Sequence, residues 1–309
     1  MSIRLAKRGF TLVELLIVIA IIAILIALVT VAAGMMLGKA KSTKDSGNQR
    51  MLGQSTFSHS TDHMGKLLHP RTGPTSAPGA PSTQDQLDRL WIAAYDQDVN
   101  GDDRLVVQGG EYIEMKSALE EGAAFPYIGD VTAFQSPLDP TIGDVSTFVA
   151  DGNFTNDRIR SYALNAFVGV EWGADDWTVY RDNPPLNLGT KNFWRSTETL
   201  SQIPQPASTM CSIGEQDSYG RNGHGWLVAP TNNFSSFRHW SDFPAFWDGR
   251  NVNMSFVDGS TGSITLESDK LKENWLQYGH DHFNLSNCEV EYKKFHGVLL
   301  PGVIGSILD

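Results

Sequence analysis

From Leu15 to Ala33 nineteen residues run without a charge, and Thr30 is their only polar member. At 1.5 Å per helical residue that run spans about 28 Å, close to the ~30 Å hydrocarbon core of a bilayer. Nothing later in the chain approaches this length, so the sequence predicts one membrane segment, near the N-terminus. Arg4, Lys7 and Arg8 precede it. Positive charge on that flank holds the short end in the cytoplasm and sends everything after Lys39 across the membrane. A cleaved secretory signal is the competing reading, with Ala32-Ala33-Gly34 offering a small-residue cleavage site. Such signals carry an apolar core of about 7–15 residues, shorter than this one.

Neither an anchor nor a secretory signal explains Glu14, which stands at the edge of the run. A carboxylate carried to the bilayer centre costs about 2.5–3.5 kcal/mol, so a residue of this kind needs a partner. The stretch Lys7-Arg8-Gly9-Phe10-Thr11-Leu12-Val13-Glu14-Leu15-Leu16 resembles the class III signal of type IV pilins and type II secretion pseudopilins. The resemblance implies that a prepilin peptidase cuts after Gly9 and that the new N-terminus, Phe10, is N-methylated. It also implies that Phe10 and Glu14 serve filament assembly. The amine of Phe10 in one subunit and the carboxylate of Glu14 in a neighbour would neutralise each other inside an apolar filament core. Losing either would leave the other buried and unpaired, which is expensive. The partners so implied are further copies of the chain in a helical homo- or hetero-filament, the peptidase, and an inner-membrane assembly platform. The chain would start in a bacterial inner membrane with its head exported, then pass to a periplasmic or cell-surface filament.

Many pilins break this helix with a proline about two-thirds along the apolar segment. Here no proline occurs between Met1 and His69, so a continuous helix is expected. Gly34 and Gly38 have the G-x-x-x-G spacing that permits close helix approach, although the same pair can simply weaken a helix. The expected organisation is a leader at 1–9, a membrane and filament-core helix at 10–37, and an exposed continuation of that helix at 38–64. A Pro/Gly-rich linker or loop at 65–83 and a globular head at 84–309 follow. In the continuation, Met51, Leu52 and Phe57 form a weak apolar stripe that would lie on the head, and Gly47 and Gly53 disfavour an unbroken helix. Leu87, Leu90, Trp91 and Ala94 predict a second amphipathic helix over Gln84 to Asp96. Beyond it, β-type runs at Arg160–Val168, Thr209–Ile213 and Asn251–Val257 alternate with Gly, Pro and Asn. Val252, Met254 and Phe256 should share one face, and Asp258-Gly259 should turn into a partner strand at Gly262–Leu266. The fold class is therefore α+β and pilin-like: a long N-terminal helix packed on a mainly antiparallel sheet with extra loops.

A series of short segments extends the resemblance: Tyr95-Asp96 with Asn100-Gly101, Ser136-Pro137-Leu138-Asp139, Ser161-Tyr162-Ala163-Leu164-Asn165, Arg238-His239, and Asn251 through Asp258-Gly259. Their order is similar to that in large-headed pilin-like proteins of planctomycete and verrucomicrobial bacteria. Each is also ordinary turn and strand chemistry.

The formal charge of −11, without a basic run, argues against a grip on nucleic acid. Asp96, Asp98, Asn100, Asp102 and Asp103 place oxygen donors around Gly101, like the first half of an EF-hand-type calcium loop. Calcium is thus the candidate cofactor, and the resemblance to pseudopilins supports it. The closing glutamate of such a loop falls on Val107, with Glu111 as a substitute; a solvated acidic turn is the alternative. His59 and His63, with Asp62 between them, and His280-Asp281-His282 lack the third ligand that a zinc site needs, and no H-E-x-x-H is present. Cys211 and Cys288 lie in the exported part, where a disulfide would persist; it would close a long loop and stabilise by about 4 kcal/mol. Two buried thiols are the alternative. Among the eight tryptophans, Trp172, Trp177, Trp240 and Trp247 could form a sugar-binding face, or could be core. No nucleophile motif such as G-x-S-x-G accompanies His239, so a structural subunit is expected rather than an enzyme. The alternatives are a tip or surface subunit whose head binds a carbohydrate or another ligand, and an anchored enzyme with a borrowed leader.

Overall fold

The computed structural model describes residues 11–72, 83–93, 105–108, 111–114, 116–142, 159–169, 197–216, 225–228, 240, 242–278 and 288–299. One helix, α1, runs unbroken over Leu12–Asp62. Thr11 starts it: its Oγ1 accepts from the Glu14 N–H (3.3 Å), and Glu14 Oε2 accepts from the Thr11 N–H (2.9 Å). These reciprocal bonds satisfy donors that the first turn would otherwise leave open. The absence of proline carries the helix through all four of its glycines. It stops where Met64 (φ 54°) and Gly65 (φ 84°) reverse the backbone and the Gly65 N–H folds back onto Ser60 O (2.7 Å).

The chain divides into two compact units, Met1–Thr43 and Lys44–Asp309, so the boundary falls inside α1. In the described part of the first unit, α1 is exposed from Leu12 to Lys41. The second unit is the head. It contains short helices α2 (Gln84–Leu87), α3 (Lys116–Glu121) and α4 (Phe125–Ile128), and a hairpin of β1 (Leu105–Gln108) and β2 (Glu111–Glu114). Its main sheet comprises β3 (Tyr162–Leu164), β4 (Met210–Gln216), β5 (Phe243–Pro244), β6 (Asn251–Phe256) and β7 (Thr261–Thr265). The order is β3-β4-β6-β7 with β5 beside β4, and every pairing is antiparallel. Helices α5 (Lys270–Tyr278) and α6 (Glu289–Leu299) follow.

Alternation along the strands, shifted in β4 by a register irregularity between Met210 and Ser212, divides the core in two. Ile213, Val252 and Met254 join Trp226, Trp240, Phe243, Tyr292 and Phe295 on one side. There the Trp240 ring meets Phe295 and Tyr292 edge-on at 5.5 and 5.8 Å. Tyr162, Leu164, Cys211 and Val257 join Leu52, Leu67, Trp91 and Phe134 in the other cluster, which thus includes a residue of α1. The architecture is α+β, with a long N-terminal helix and an antiparallel sheet.

Three expectations change. The helix expected over Gln84 to Asp96 is the single turn α2; beyond it the backbone pairs with residue 69 instead. His69 N–H donates to Arg89 O (2.7 Å) and Trp91 N–H to His69 O (3.1 Å), burying Leu90, Trp91 and Ile92. Tertiary pairing has overridden helical spacing. Residues 67–72, expected in a linker or loop, are buried, with Leu67 and Leu68 in the core and Arg71 covered. Of the apolar stripe expected on α1 only Leu52 is buried, while Met51 is half-buried and Phe57 exposed; the other buried positions are Asp45, Asn48, Gln49, Gly53, Ser55, Thr56, His59 and Ser60. They recur at three- and four-residue steps, so the face is helical in period although polar in content.

Candidate functional site: the two chemistries of helix α1

The apolar residues from Leu12 to Leu37 are exposed all round, from Leu12 at 86% to Val18 at 43%. Among the described residues α1 is the one helix long and apolar enough to cross a membrane. Glu14 does not stand free at its start. Besides the Thr11 N–H, Glu14 Oε2 accepts from Thr11 Oγ1 (2.8 Å), so the carboxylate caps its own helix with one oxygen, and Oε1 has no bond among the described residues. The Thr-x-x-Glu spacing was the sequence signal for this cap. Gly9 and Phe10 lie outside the described residues.

Residues 4–30 match the prokaryotic N-terminal methylation motif. That motif is typical of type IV pilins and pseudopilins, and its span covers Gly9, Phe10, Glu14 and the apolar run as far as Thr30. No curated protein and no solved structure matches the chain. The methylation motif therefore concerns one end of the molecule.

The centre of the head's geometry is Asp45, 5% exposed on the sheet-facing side of α1. Its Oδ1 accepts from Ser136 Oγ (2.5 Å) and Tyr162 OH (2.8 Å), and its Oδ2 from Asn253 Nδ2 (2.8 Å). Burial raises its pKa above the ordinary aspartate value, while the three donors work in the opposite direction. A second carboxylate organises the same neighbourhood: Asp139 Oδ2 accepts from Ser161 Oγ (2.7 Å), whose oxygen in turn accepts from the Ser136 N–H (2.9 Å). Three of the short segments singled out in the sequence thus converge on one helical aspartate. Ser136 and Asp139 come from the first, Ser161 and Tyr162 from the second, and Asn253 from the third.

Further along the stripe, Asn48 Nδ2 donates to Gln135 O (2.7 Å). The Gln49 amide meets Ser212 and, oriented to satisfy both its ends, accepts from the Gly214 N–H (3.0 Å). Ser212 and Ser255 share a hydroxyl bond of 2.6 Å, and Cys211 Sγ donates to Thr56 Oγ1 (3.2 Å). Gly53 permits this approach, because a Cβ there would stand 3.0 Å from both Phe256 O and Ser255 Cβ. At the far end His59 Nδ1 bonds Lys66 O (3.0 Å) and its ring stacks on His63 at 4.0 Å. Burial, and then the charge of His63, pull the His59 pKa down to about 4, so it is neutral at pH 7. This side of the head works as a hydrogen-bonded lock on α1.

The remaining sequence candidates fall elsewhere. Asp96, Asp98, Asn100, Asp102 and Asp103 lie outside the described residues, as do His239 and His280-Asp281-His282; Val107 sits in β1 and Glu111 opens β2. Cys211 and Cys288 are both buried and both free, which is the second of the two alternatives that the sequence left open. They belong to different core clusters, Cys211 bonded to Thr56 and Cys288 accepting from Asn274 Nδ2 (3.3 Å). His59, His63 and Asp62 do not converge: Asp62 Oδ2 accepts from Tyr127 OH (3.0 Å), and among the described residues no group of three potential ligands could hold a metal. Trp240 is core, Trp247 is half-buried, and Trp172 and Trp177 lie outside the described residues.

Proposed function

We propose that this chain is the precursor of a pilin- or pseudopilin-type subunit, cut after Gly9, methylated on Phe10 and polymerised through α1. The methylation motif at residues 4–30 carries the proposal. The chemistry of α1 is consistent with it: an apolar half with no cover in the monomer, followed by a half held to the head by buried hydrogen bonds. A subunit of this design needs no catalytic centre. It inserts in the inner membrane, exports the acidic head, and repeats one heterologous contact to build a fibre. In that contact the Phe10 amine meets Glu14 of a neighbour, and Glu14 Oε1 is the oxygen left over by the Thr11 cap. Calcium held by Asp96, Asp98, Asn100, Asp102 and Asp103 is part of the proposal.

Mass spectrometry of the mature polypeptide is the test. It should begin at Phe10 with one added methyl group, and Gly9→Val should keep the leader and abolish filaments. Glu14→Ala should still be cut but should enter filaments poorly. A mature chain beginning anywhere other than Phe10 would sink the reading.

A further inference from the structure

Strand β7 closes the main sheet, and among the described residues its one strand neighbour is β6. At the two ends of that pairing the Phe256 N–H donates to Ser260 O (2.9 Å) and the Leu266 N–H to Arg250 O (2.8 Å). Bonded pairs recur every second residue in an antiparallel ladder. Gly262 and Ile264 therefore also turn their main-chain groups to β6, and Thr261, Ser263 and Thr265 turn theirs outward. Of those outward groups Thr265 O accepts from Lys294 Nζ (2.8 Å). The N–H and C=O of Thr261 and Ser263 and the N–H of Thr265 have no partner among the described residues. The three outward residues are exposed, whereas Gly262 and Ile264 are half-buried, with Ile264 against the tryptophan-rich core.

Open edges invite another strand, and proteins usually blunt them with lysine, proline or a short length. Thr261-Gly262-Ser263-Ile264-Thr265 contains neither charge nor proline. Among the described residues the one lysine that reaches this edge, Lys294, is paired with Glu267 and covers only its end. The edge is moreover complementary to itself. Laid antiparallel on a second copy with Ser263 opposite Ser263, it sets Thr261 against Thr265 and Gly262 against Ile264. In that register every outward N–H and C=O faces another outward group, giving about four main-chain hydrogen bonds besides the two that would have to share Thr265 O with Lys294. A slip of one residue would point the groups of one copy at residues already bonded to β6. Threonine pairs are favourable across strands, and no like charges stand opposite one another. Glu267 comes level with Gly259.

We propose that β7 is a pairing edge for a second copy of this chain, joined antiparallel about a two-fold axis through Ser263. The contact is isologous and closes at two copies, so it ties heads in pairs and does not itself propagate a fibre. It is small, and acts between copies that α1 already concentrates in a membrane or filament; to that extent it rests on the reading above.

Single-cysteine variants of the full chain, oxidised with diamide in the membranes that contain it, provide the test. Directly opposed residues in a bonded pair lie about 5.5 Å apart between Cα atoms, within disulfide range. Ser263→Cys should therefore give a disulfide dimer. Thr261→Cys or Thr265→Cys alone should give at least about tenfold less, because like positions are then about 14 Å apart. The double variant Thr261→Cys, Thr265→Cys should cross-link again, and adding Ser263→Lys to it should abolish the dimer by setting two ammonium groups face to face. Cys211 and Cys288 are buried and set a low background. No dimer from Ser263→Cys while its thiol still takes a maleimide would overturn the pairing. So would equal cross-linking of all three single variants, or a cross-link from Ser263→Cys to a different protein. Mass of the N-terminus on the same sample separates the two readings: an unprocessed but cross-linked chain refutes the filament subunit and leaves the pairing edge standing.

Discussion

Replacing Asp45 tests whether α1 is held to the head by hydrogen bonds rather than by apolar burial. Asp45→Leu leaves Ser136 Oγ, Tyr162 OH and Asn253 Nδ2 without their acceptor in a site where the residue they serve is 5% exposed. Stranding one buried donor costs about 1–3 kcal/mol. Ser136 and Tyr162 can turn their hydroxyls towards other acceptors, so the three together should cost about 3–5 kcal/mol, a large share of the ~5–15 kcal/mol that holds a domain. Asp45→Asn is the informative contrast. Its carbonyl oxygen can still accept both hydroxyls, and only Asn253 must turn its amide, so the loss should be near 1 kcal/mol. The pH dependence separates them further. The pKa of Asp45 is raised in the folded head by burial, so the folded state holds this proton more tightly than the unfolded chain does. Its contribution is present in full below about pH 3.8 and is lost as the pH rises through the folded value. Asp45→Asn should remove that loss, flattening the stability curve on the neutral side. Urea melts of the full chain in detergent, followed by tryptophan fluorescence, measure both. Should Asp45→Leu unfold within 0.5 kcal/mol of the parent (roughly the scatter expected for a neutral surface change), the lock is not where the stability of this helix resides.

Other consequences are quicker to check. Gly53→Val should destabilise the head by about 1–3 kcal/mol, because a branched Cβ meets Phe256 O and Ser255 at 3.0 Å, while Gly47→Ala, with open space around it, should gain about 0.5–1 kcal/mol of helix propensity; equal shifts in the melts would refute the close approach. The pKa values of Cys211 and Cys288 are both pushed up to about 11, in each case chiefly by burial, so iodoacetamide at pH 8 should leave the native mass unchanged and add two groups in urea. Failure to label in urea until a reductant is added would mean that the bridge exists after all. Added calcium should raise the melting temperature and a chelator lower it, with the shift lost in Asp98→Ala; no shift at saturating ion would remove calcium from the proposal.

The sequence was most legible where one residue type repeats without ambiguity. The apolar run, the missing proline and the Asp258-Gly259 turn led directly to an unbroken α1 and to the β6–β7 hairpin, in which Val252 and Met254 are buried on one face. It was least legible where polar side chains are buried. Asp45, Asn48, Gln49, Ser55 and Thr56 have the period of a docking face, but apolar periodicity passes over them and points to Met51, Leu52 and Phe57, of which Leu52 alone is buried. What makes Asp45 and Asn48 interior is a set of partners 87 to 208 positions away, which no local window contains. The Thr-x-x-Glu cap and the Tyr292, Phe295 and Leu299 stripe of α6 were present in the sequence as recognisable signals, one at the helix start and one at helical spacing. The Gly53 approach had no such signal, because glycine in a helix announces weakness more often than contact.

The polarity of the lock also has a logic that the head alone does not require. A helix that leaves the apolar segment and continues into a domain would be easiest to dock with leucine and isoleucine. In this chain that choice would extend the apolar stretch far beyond the ~20 residues that span a bilayer, and a longer stretch is accommodated by tilting or by drawing more helix into the lipid. Hydrogen bonds to Asp45, Asn48 and Gln49 hold the helix without adding to its hydropathy. Lys39, Lys41 and Lys44 mark the end of the greasy half, and the buried stripe begins one residue later, at Asp45. The same α1 can thus satisfy lipid or a filament core along one half and a protein core along the other. The boundary between them is set by desolvation: a charged or amide side chain at 45, 48 or 49 is stable against the sheet, where donors and acceptors await it, and is costly in hydrocarbon, where none do.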